Sequence, residues 1–416
     1  MITPAFSPTA TERVLPRLAL DFTTASLDPR VTFTRTGNTA TVTNSSGNIV
    51  GINANLPRFD YDPITLTCKG LLIEEARTNA LTYSEQFDNP AWGKSEVTVT
   101  ANSVVSPSGT LSADTLQNNT NTGSHGIFTS IVFATGSTMT VYAKAGTTNF
   151  VGITNTSNFA AYSGATFNLS TGAVGVSAAC TASMTPVGNG WYRCVVANTT
   201  TYAGSFFVVS VLESNQAPWL GYAGTNKNIY IWGAQLEIGP FGTSYIPTVA
   251  STVTRNADVA TMTGTNFSSW YNASEGTFQS SVRMTGYSTS YNDYATFFSV
   301  NDGSASNQQY ININGGPVNV AFIGTGGSAI GQTVANITTN PVTGVGSYKV
   351  NNFAFAANAT STATDTSGTV PTVDRLYFGN DGTNIRLTRM NGCLVKFNYW
   401  PQRLTNAEVQ AFSKQG

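Results

Sequence analysis

The sequence predicts an all-β protein with two consecutive antiparallel β-sandwich (jelly-roll) domains, preceded by an N-terminal region and ending in a short helix. Three observations lead to this fold class. Apolar and polar residues alternate with a period of two along most of the chain, as in half-buried strands. β-Branched and aromatic residues dominate these runs, and Gly, Asn and Ser separate them. No repeat of fixed period occurs, which disfavours a β-helix.

Three runs illustrate the strands. Residues 137–143 (STMTVYA) alternate regularly, residues 205–212 (SFFVVSVL) read as a more buried strand, and residues 277–284 (TFQSSVRM) alternate again. Short strands of this kind at regular spacing are typical of antiparallel sandwiches.

One helix is predicted, at the C-terminal end of the chain. Thr405 is a suitable N-cap and Glu408 follows three residues later, which completes a capping box. Leu404 and Val409 flank this box as a hydrophobic staple. We expect the helix to run to about Ser413.

Charge and proline content divide the chain into three regions. Residues 1–80 are Pro-punctuated and relatively rich in charge, residues 81–250 form the first predicted sandwich, and residues 258–416 form the second. The join from Val249 to Asp258 is rich in Thr, Ser and Ala and also carries Arg255.

The low charge of the chain excludes several classes of partner. Lys and Arg number 20 and Asp and Glu number 21, giving a net charge of −1, and the 416 residues include one histidine. A near-neutral protein has no electrostatic attraction for nucleic acid or an anionic membrane. So few ionisable groups also favour a structural or sugar-contacting protein over an enzyme.

No catalytic residues are predicted. His125 lies in the string TGSHG without a nucleophile elbow, and we expect a solvent-exposed loop histidine. Glu74 and Glu75 are the one adjacent acidic pair. Neighbours on a strand point to opposite faces, so these two cannot act together as acid and base. Ion pairs with Arg77 or Arg58 are the favoured interpretation.

No metal site or cofactor is predicted either. The chain has four cysteines and no Cys-x-x-Cys pair: Cys68, Cys180, Cys194 and Cys393. Cys180 and Cys194 flank a predicted hairpin, so they either face each other or are free buried thiols, the favoured interpretation. The segments 301–303 and 380–382, both Asn-Asp-Gly, read as hairpin turns. A structural calcium ion held by their oxygen atoms is the alternative.

Several strings carry a resemblance to a known family. They are PRFDYDP at 57–63, GLLIEEARTN at 70–79, NGWYRC at 189–194, WGAQLE at 232–237, TSYIP at 243–247, RLYFG at 375–379 and YWPQRLT at 399–405. Together they resemble tailed-bacteriophage virion proteins of the tail-fibre type. The resemblance implies a middle domain similar to a carbohydrate-binding-module jelly roll and a C-terminal domain similar to a concanavalin/laminin-G sandwich. It also implies location in the virion after synthesis in the host cytoplasm, and a homotrimer.

The best candidates for a glycan-binding site are Tyr287, Tyr291, Asn292 and Asp293. They lie in a predicted loop that combines aromatic rings, which stack on sugar faces, with polar side chains that fix hydroxyl groups. The alternative is that these tyrosines cover the sandwich core or a subunit contact. Three tryptophans are instead expected to be structural: Trp191 and Trp232 in the core, and Trp400 as the packing base of the terminal helix.

We therefore expect a non-enzymatic structural protein of the virion, a tail fibre or similar appendage that contacts host surface polysaccharide. Residues 1–80 are its expected attachment region for other virion proteins. A tailspike-like glycan depolymerase and a purely architectural decoration or adaptor protein are the two alternatives.

Overall fold

The computed structural model describes residues 15–134, 136–157, 162–198, 206–286, 294–314, 319–324, 328–333, 341–382 and 389–414. Antiparallel β-sheet accounts for most of the regular structure, so the predicted all-β class of stacked sandwiches is confirmed. The three strands taken as examples are present as Ser137–Ala145, Phe206–Leu212 and Glu275–Gly286.

The middle of the chain forms one sandwich of two six-stranded sheets, which we call the inserted sandwich. The first sheet has the spatial order Cys180–Pro186, Trp191–Asn198, Ser137–Ala145, Asn228–Ile238, Leu111–Asn118 and Val97–Val105. The second has the order Ala173–Ala178, Tyr162–Asn168, Phe150–Thr156, Phe206–Leu212, Gly126–Ser130 and Gly93–Ser95. A short ladder pairs Thr122–Gly123 with Tyr222–Ala223.

The two ends of the chain together form a second sandwich, which we call the terminal sandwich. Its eight-stranded sheet has the order Ala363–Asp365, Phe353–Ala357, Val342–Lys349, Glu275–Gly286, Asn391–Trp400, Cys68–Ile73 and Phe59–Tyr61, with Leu18–Asp21 also paired to Asn391–Trp400. Its seven-stranded sheet has the order Thr32–Thr34, Val259–Thr263, Arg375–Phe378, Tyr294–Asn301, Gln308–Asn314, Asn319–Gly324 and Ser328–Thr333.

The charge-rich N-terminal region is therefore part of the terminal sandwich, whereas its composition suggested a region of its own. Leu18 lies opposite Tyr399, and Phe33 lies opposite Ala260. Four N-terminal strands contribute to the two sheets: Leu18–Asp21, Thr32–Thr34, Phe59–Tyr61 and Cys68–Ile73. Apolar side chains of this region pack in the same core as those of residues beyond 258.

The chain enters and leaves the inserted sandwich through one small ladder. Arg77–Asn79 pairs there with Val253–Arg255, and Arg77 lies opposite Arg255. A second small sheet, Ala40–Thr43 with Ile49–Ile52, packs its apolar side chains with Leu72 and Cys393 of the eight-stranded sheet. The boundary between the sandwiches is thus built from segments on both sides of the insertion.

Each sandwich has its own apolar core between its sheets. Trp191 and Trp232 are 1% and 2% exposed, as expected for core residues, and they belong to a separate aromatic cluster with Tyr142 and Tyr245. The rings of Trp232 and Tyr245 are 4.7 Å apart between centroids. This cluster lies on the outer face of the first sheet, because Tyr142 alternates with the core residues Val141 and Ala143, and Tyr245 O accepts a hydrogen bond from Thr41 of the N-terminal region.

The described helices are short: Thr265–Ser268, Asn406–Ser413 and the 3₁₀ turn Phe22–Thr24. The predicted capping box is confirmed, since Thr405 and Glu408 exchange both hydrogen bonds. Trp400 stacks on Phe412 with 4.9 Å between ring centroids, so it is the packing base of this helix. Within the described residues, no helix is long and apolar enough to cross a membrane.

We expect the two sandwiches to differ in their ability to fold alone. A polypeptide of residues 81–250 should unfold cooperatively on heating, because its core is formed within that range. Residues 251–416 alone should not, because four strands of the terminal sandwich are missing. Circular dichroism melts of both fragments against the full chain test this. A cooperative transition in the 251–416 fragment would contradict it.

Candidate functional site

Five charged side chains meet between the two sandwiches, and we call this set the junction network: Arg35, Arg58, Glu74, Arg255 and Asp258. Each is at most 2% exposed. Three of them precede the inserted sandwich in the chain and two follow it. An unpaired charge buried in this way costs several kcal/mol, so the arrangement depends on pairing.

Each carboxylate of the network binds two arginines. Asp258 pairs with Arg35 Nη1 at 3.2 Å and with Arg58 Nη2. Oε2 of Glu74 lies 2.9 Å from Arg58 Nη2 and 3.0 Å from Arg255 Nη1. The backbone N–H of Glu74 also donates to Asp258 at 2.9 Å. Arg58 is therefore the central cation, shared by both carboxylates.

Ser244 connects the network to the inserted sandwich. Its backbone N–H and its Oγ donate to the two carboxylate oxygens of Glu74 at 2.7 and 2.6 Å. The same Oγ accepts from Nη1 of Arg58 and from Nη1 of Arg255, each at 2.9 Å. One hydroxyl thus uses its donor and both acceptor positions at the boundary.

Glu237 supplies a third negative charge beside the three arginines. Its carboxylate accepts from the backbone N–H and the Oγ1 of Thr243 at 2.8 and 2.7 Å, and from Nε2 of Gln235 at 2.8 Å. Oγ1 of Thr243 in turn accepts from Arg255 Nη1 at 3.1 Å. The string WGAQLE and the string TSYIP therefore meet at the network.

The network changes the acidity of its members. Burial tends to raise the pKa of Glu74, but attraction by Arg255 and Arg58 outweighs it and lowers that pKa to about 2. Burial likewise tends to lower the pKa of Arg58, and the two carboxylates raise it instead. For Arg255, burial outweighs the attraction of Glu74 and lowers its pKa. Glu74 and Arg58 are firmly charged at neutral pH.

Glu74 and Glu75 have separate partners, as expected, although they lie between the strands Cys68–Ile73 and Arg77–Asn79 and not on one strand. Glu74 binds Arg58, whereas Glu75 accepts from Nε of Arg77 at 2.6 Å. The guanidinium carbon of Arg77 lies 5.1 Å from the ring centroid of Phe241. Gly239 leaves room for this guanidinium: its φ is 140°, and a Cβ there would lie 1.6 Å from Arg77 Nη1.

Two clefts lie where the sandwiches meet. Glu74 borders a polar cleft, and Glu75 borders an apolar cleft. The polar cleft has a volume of about 430 Å³, and its walls include Asp60, Lys69, Tyr142, Thr185, Arg193 and Thr285. The apolar cleft has a volume of about 740 Å³, and its walls include Val132, Leu236, Ile238, Pro240 and Phe241. Both volumes are in the range of small-molecule sites.

The carboxylates at these clefts are engaged in other bonds. Asp60 pairs with Lys69 and accepts from the backbone N–H of Thr43 at 3.1 Å. The other three carboxylates are Glu74, Glu75 and Glu237, with the partners given above. Hydrolysis of a glycosidic bond needs one carboxylic acid that stays protonated near neutral pH. All four carboxylates are held by cationic side chains or by hydrogen-bond donors.

Burial raises the pKa of Glu85, and Asp114 is the carboxyl group of the inserted sandwich with the larger shift. Burial raises its pKa to about 6, against hydrogen bonds from the backbone N–H groups of Asn102 and Phe87 that lower it. Those bonds measure 2.9 and 3.0 Å. Asp114 is 1% exposed inside the inserted sandwich and borders neither of the two clefts.

The prediction of a solvent-exposed His125 is wrong. The side chain is 1% exposed, because three segments of the inserted sandwich enclose it. Nδ1 lies 2.8 Å from the backbone oxygen of Glu96, and Nε2 lies 3.1 Å from that of Tyr222. The ring also packs against the Tyr222 ring at 4.5 Å. Both nitrogens are engaged by backbone oxygens, so neither is positioned to activate a nucleophile.

Cys180 and Cys194 do not face each other. Cys180 lies opposite Asn198 and Cys194 lies opposite Met184, and all four cysteines of the chain are free. Of the two interpretations of this pair, the free thiols are the one observed.

The two Asn-Asp-Gly segments form turns. Gly303 donates its N–H to Asn301 Oδ1 at 2.9 Å, and Gly382 donates to Asn380 Oδ1 at 2.8 Å. Across the part of the chain that the structure describes, no group of three or more His, Cys, Asp or Glu side chains is placed to hold a metal ion.

The predicted glycan-binding residues Tyr287, Tyr291, Asn292 and Asp293 lie outside the described residues, so that site stays a prediction. The described strand Glu275–Gly286 ends just before them. Thr285 on this strand borders the polar cleft.

The sequence did not reveal the junction network as a unit. The feature of the sequence that pointed to the network was the higher density of charged residues in residues 1–80 and in the join, within a chain that is otherwise poor in charge. Four of the strings that carry the family resemblance contribute contacts to this boundary, through Arg58, Glu74, Gln235 and Ser244.

Comparison with known proteins assigns no family. No family model matches the chain, and no curated protein matches it. Among solved structures, the CBM40 of the Ruminococcus gnavus IT-sialidase bound to α2,3-sialyllactose is similar at 14% identity and a TM-score of 0.31. That match covers 36% of this chain and 87% of the CBM40 chain.

Two further solved structures are similar at the same level. The NanB sialidase of Streptococcus pneumoniae has 10% identity and a TM-score of 0.30, over 36% of this chain and 26% of its own. The receptor-binding domain of botulinum neurotoxin mosaic serotype C/D has 13% identity and a TM-score of 0.27. That match covers 38% of this chain and 40% of the neurotoxin chain. These likenesses are too remote to assign a ligand or an activity.

We expect Glu74→Gln to destabilise the protein strongly. The substitution leaves Arg58 and Arg255 short of a buried partner, and breaking a buried ion pair costs about 3–5 kcal/mol. Urea unfolding followed by tryptophan fluorescence measures the effect. Asp374→Asn is the matched control, because the Asp374 side chain is 63% exposed and its pair with Arg375 should contribute little. Equal effects of the two substitutions would contradict the role of the network.

The contribution of Glu74 should also depend on pH. Its pKa is about 2 in the folded protein, below the ordinary 4.5, so its stabilisation is complete above about pH 4.5. It is lost as the pH falls from about 4.5 towards 2. The difference in unfolding free energy between wild type and Glu74→Gln should therefore shrink over this interval. A difference that stays constant down to pH 2.5 would argue against it.

Proposed function

We propose that this chain is a non-enzymatic structural protein of a tailed-bacteriophage virion, a tail fibre or similar appendage that contacts glycans of the host surface. The observation that carries the proposal is the junction network. Five buried charged side chains and Ser244 hold the two β-sandwiches together at their boundary. A rigid pair of sandwiches is what an appendage needs in order to present a surface at a fixed position.

The absence of catalysis is part of the proposal. Its support is that the carboxylates bordering both clefts are bound to arginine, lysine or N–H donors. Asp114, with its raised pKa, is enclosed in the inserted sandwich. A tailspike-like depolymerase would need a protonated acid facing a second carboxylate across a sugar.

We also propose that residues 1–80 attach the chain to other virion proteins and that the assembly is a homotrimer. Composition supports self-association, because a surface with little charge has little to resist it. Strands of residues 18–73 are built into the terminal sandwich, so attachment would use the outer surface of that sandwich. Deleting the region would remove four strands of the terminal sandwich as well as the attachment surface, so surface substitutions are the better test.

Purified full-length protein should bind intact host cells and release no oligosaccharide from their polysaccharide. Binding is measured by co-sedimentation with the cells, and release by size-exclusion chromatography of the polysaccharide after incubation. Cells whose glycans have been oxidised with periodate are the control and should bind less. Released oligosaccharide would favour the depolymerase. Incorporation into particles without any binding to cells would favour the purely architectural protein.

A further inference from the structure

The polar cleft has walls from both sandwiches. Asp60 and Lys69 come from adjacent strands of the terminal sandwich, whereas Thr185 and Arg193 lie opposite each other on adjacent strands of the inserted one. Glu74 also borders the cleft. Because the junction network fixes both sandwiches, these walls are held at a set distance before any ligand arrives.

Asp60 and Lys69 offer an acceptor and a donor side by side. Their side chains are 10% and 29% exposed, so the pair is shielded yet accessible. Burial tends to lower the pKa of Lys69, but Asp60 raises it, and the ammonium group stays charged at neutral pH. A ligand hydroxyl can donate to such a carboxylate while it accepts from such an ammonium group, and both hydrogen bonds are charge-assisted.

Arg193 completes the opposite wall. Nη2 of Arg193 donates to the backbone oxygen of Thr243 at 2.5 Å, which anchors the guanidinium, while its Nε is buried without a partner. Tyr142 and Tyr245 lie behind this wall, where each is 3% exposed and packs in the aromatic cluster with Trp232. Arg193 and Thr185 therefore give the opposite wall fixed polar groups for the hydroxyl groups of a ligand.

The charges at the cleft balance. Lys69 and Arg193 are its cations and Asp60 and Glu74 its anions among the lining residues. An acidic or basic ligand would therefore meet a repelling group close to every attracting one. A neutral ligand rich in hydroxyl groups avoids this cost and still uses the donors and acceptors.

We propose that the polar cleft binds a neutral oligosaccharide, held by Asp60 and Lys69 on one wall and by Thr185 and Arg193 on the other. This inference rests on the proposed glycan contact and places it between the sandwiches. The cleft volume of about 430 Å³ matches a short oligosaccharide segment better than an extended chain.

Isothermal titration calorimetry of the full chain with isomaltotriose, maltotriose and N-acetyllactosamine tests the site, with trigalacturonic acid as the acidic probe. We expect at least one neutral probe to bind. Lys69→Met should weaken that binding about tenfold or more, because it removes a charged donor and keeps the aliphatic stem. Thr185→Val should weaken it roughly threefold, because it removes one hydroxyl from an exposed strand position.

Lys349→Met is the matched control. Lys349 also pairs with a carboxylate, Glu275 at 3.6 Å, but lies outside the cleft, so this variant should bind as the wild type does. Melting temperatures of all variants show whether each is folded. Thr185→Val keeps the test valid if Lys69→Met is unstable, since Thr185 is exposed.

Three results would overturn the inference: no neutral probe binds, the acidic probe binds more than tenfold more tightly, or folded cleft variants bind as the wild type does. Binding of the whole chain to host cells is measured separately. If cells are still bound in any of these cases, the cleft assignment alone fails and the proposed function stands. Loss of cell binding in Tyr287→Ala, with normal binding by the cleft variants, would instead favour the loop predicted from sequence.

Discussion

The ion pairs of Arg58 with Glu74 and Asp258 determine how the two sandwiches meet. Both carboxylates are inaccessible to solvent, so their charge has to be matched by arginines from the same boundary. Ser244 brings the inserted sandwich into this arrangement, because its hydroxyl satisfies Glu74 and two arginines at once. The walls of both clefts depend on these few contacts.

Local signals in the sequence were sufficient for the fold class. Alternation identified strands such as Ser137–Ala145, and the capping box of Thr405 with Glu408 identified the last helix. Pairing between distant strands was not predictable in the same way. Nothing within Leu18–Asp21 specifies Asn391–Trp400 as its partner, because that choice depends on the shared core. The predicted domain boundaries were based on composition, so they did not include the pairing of both chain ends in the terminal sandwich.

The candidate site was predictable only in part, for a similar reason. The expected ion pairs of Glu74 and Glu75 with Arg58 and Arg77 are present, but the two glutamates lie between strands and not on one strand, as the prediction had assumed. The role of Ser244 arises from neighbours brought together by folding, and a serine in a Thr/Ser-rich chain carries no signal of its own. His125 shows the same limit, since its burial depends on Glu96 and Tyr222 from other segments.

The closure of the terminal sandwich by both chain ends has a consequence for biosynthesis. The strand Leu18–Asp21 leaves the ribosome early, but its partner Asn391–Trp400 is among the last segments to be made. At about 5–20 residues per second, the early strands wait for tens of seconds with Leu18 and Leu20 unpaired. The inserted sandwich can form during this interval and bring the flanking segments together. Its early folding would shorten the search for the final pairing and limit aggregation of the waiting strands.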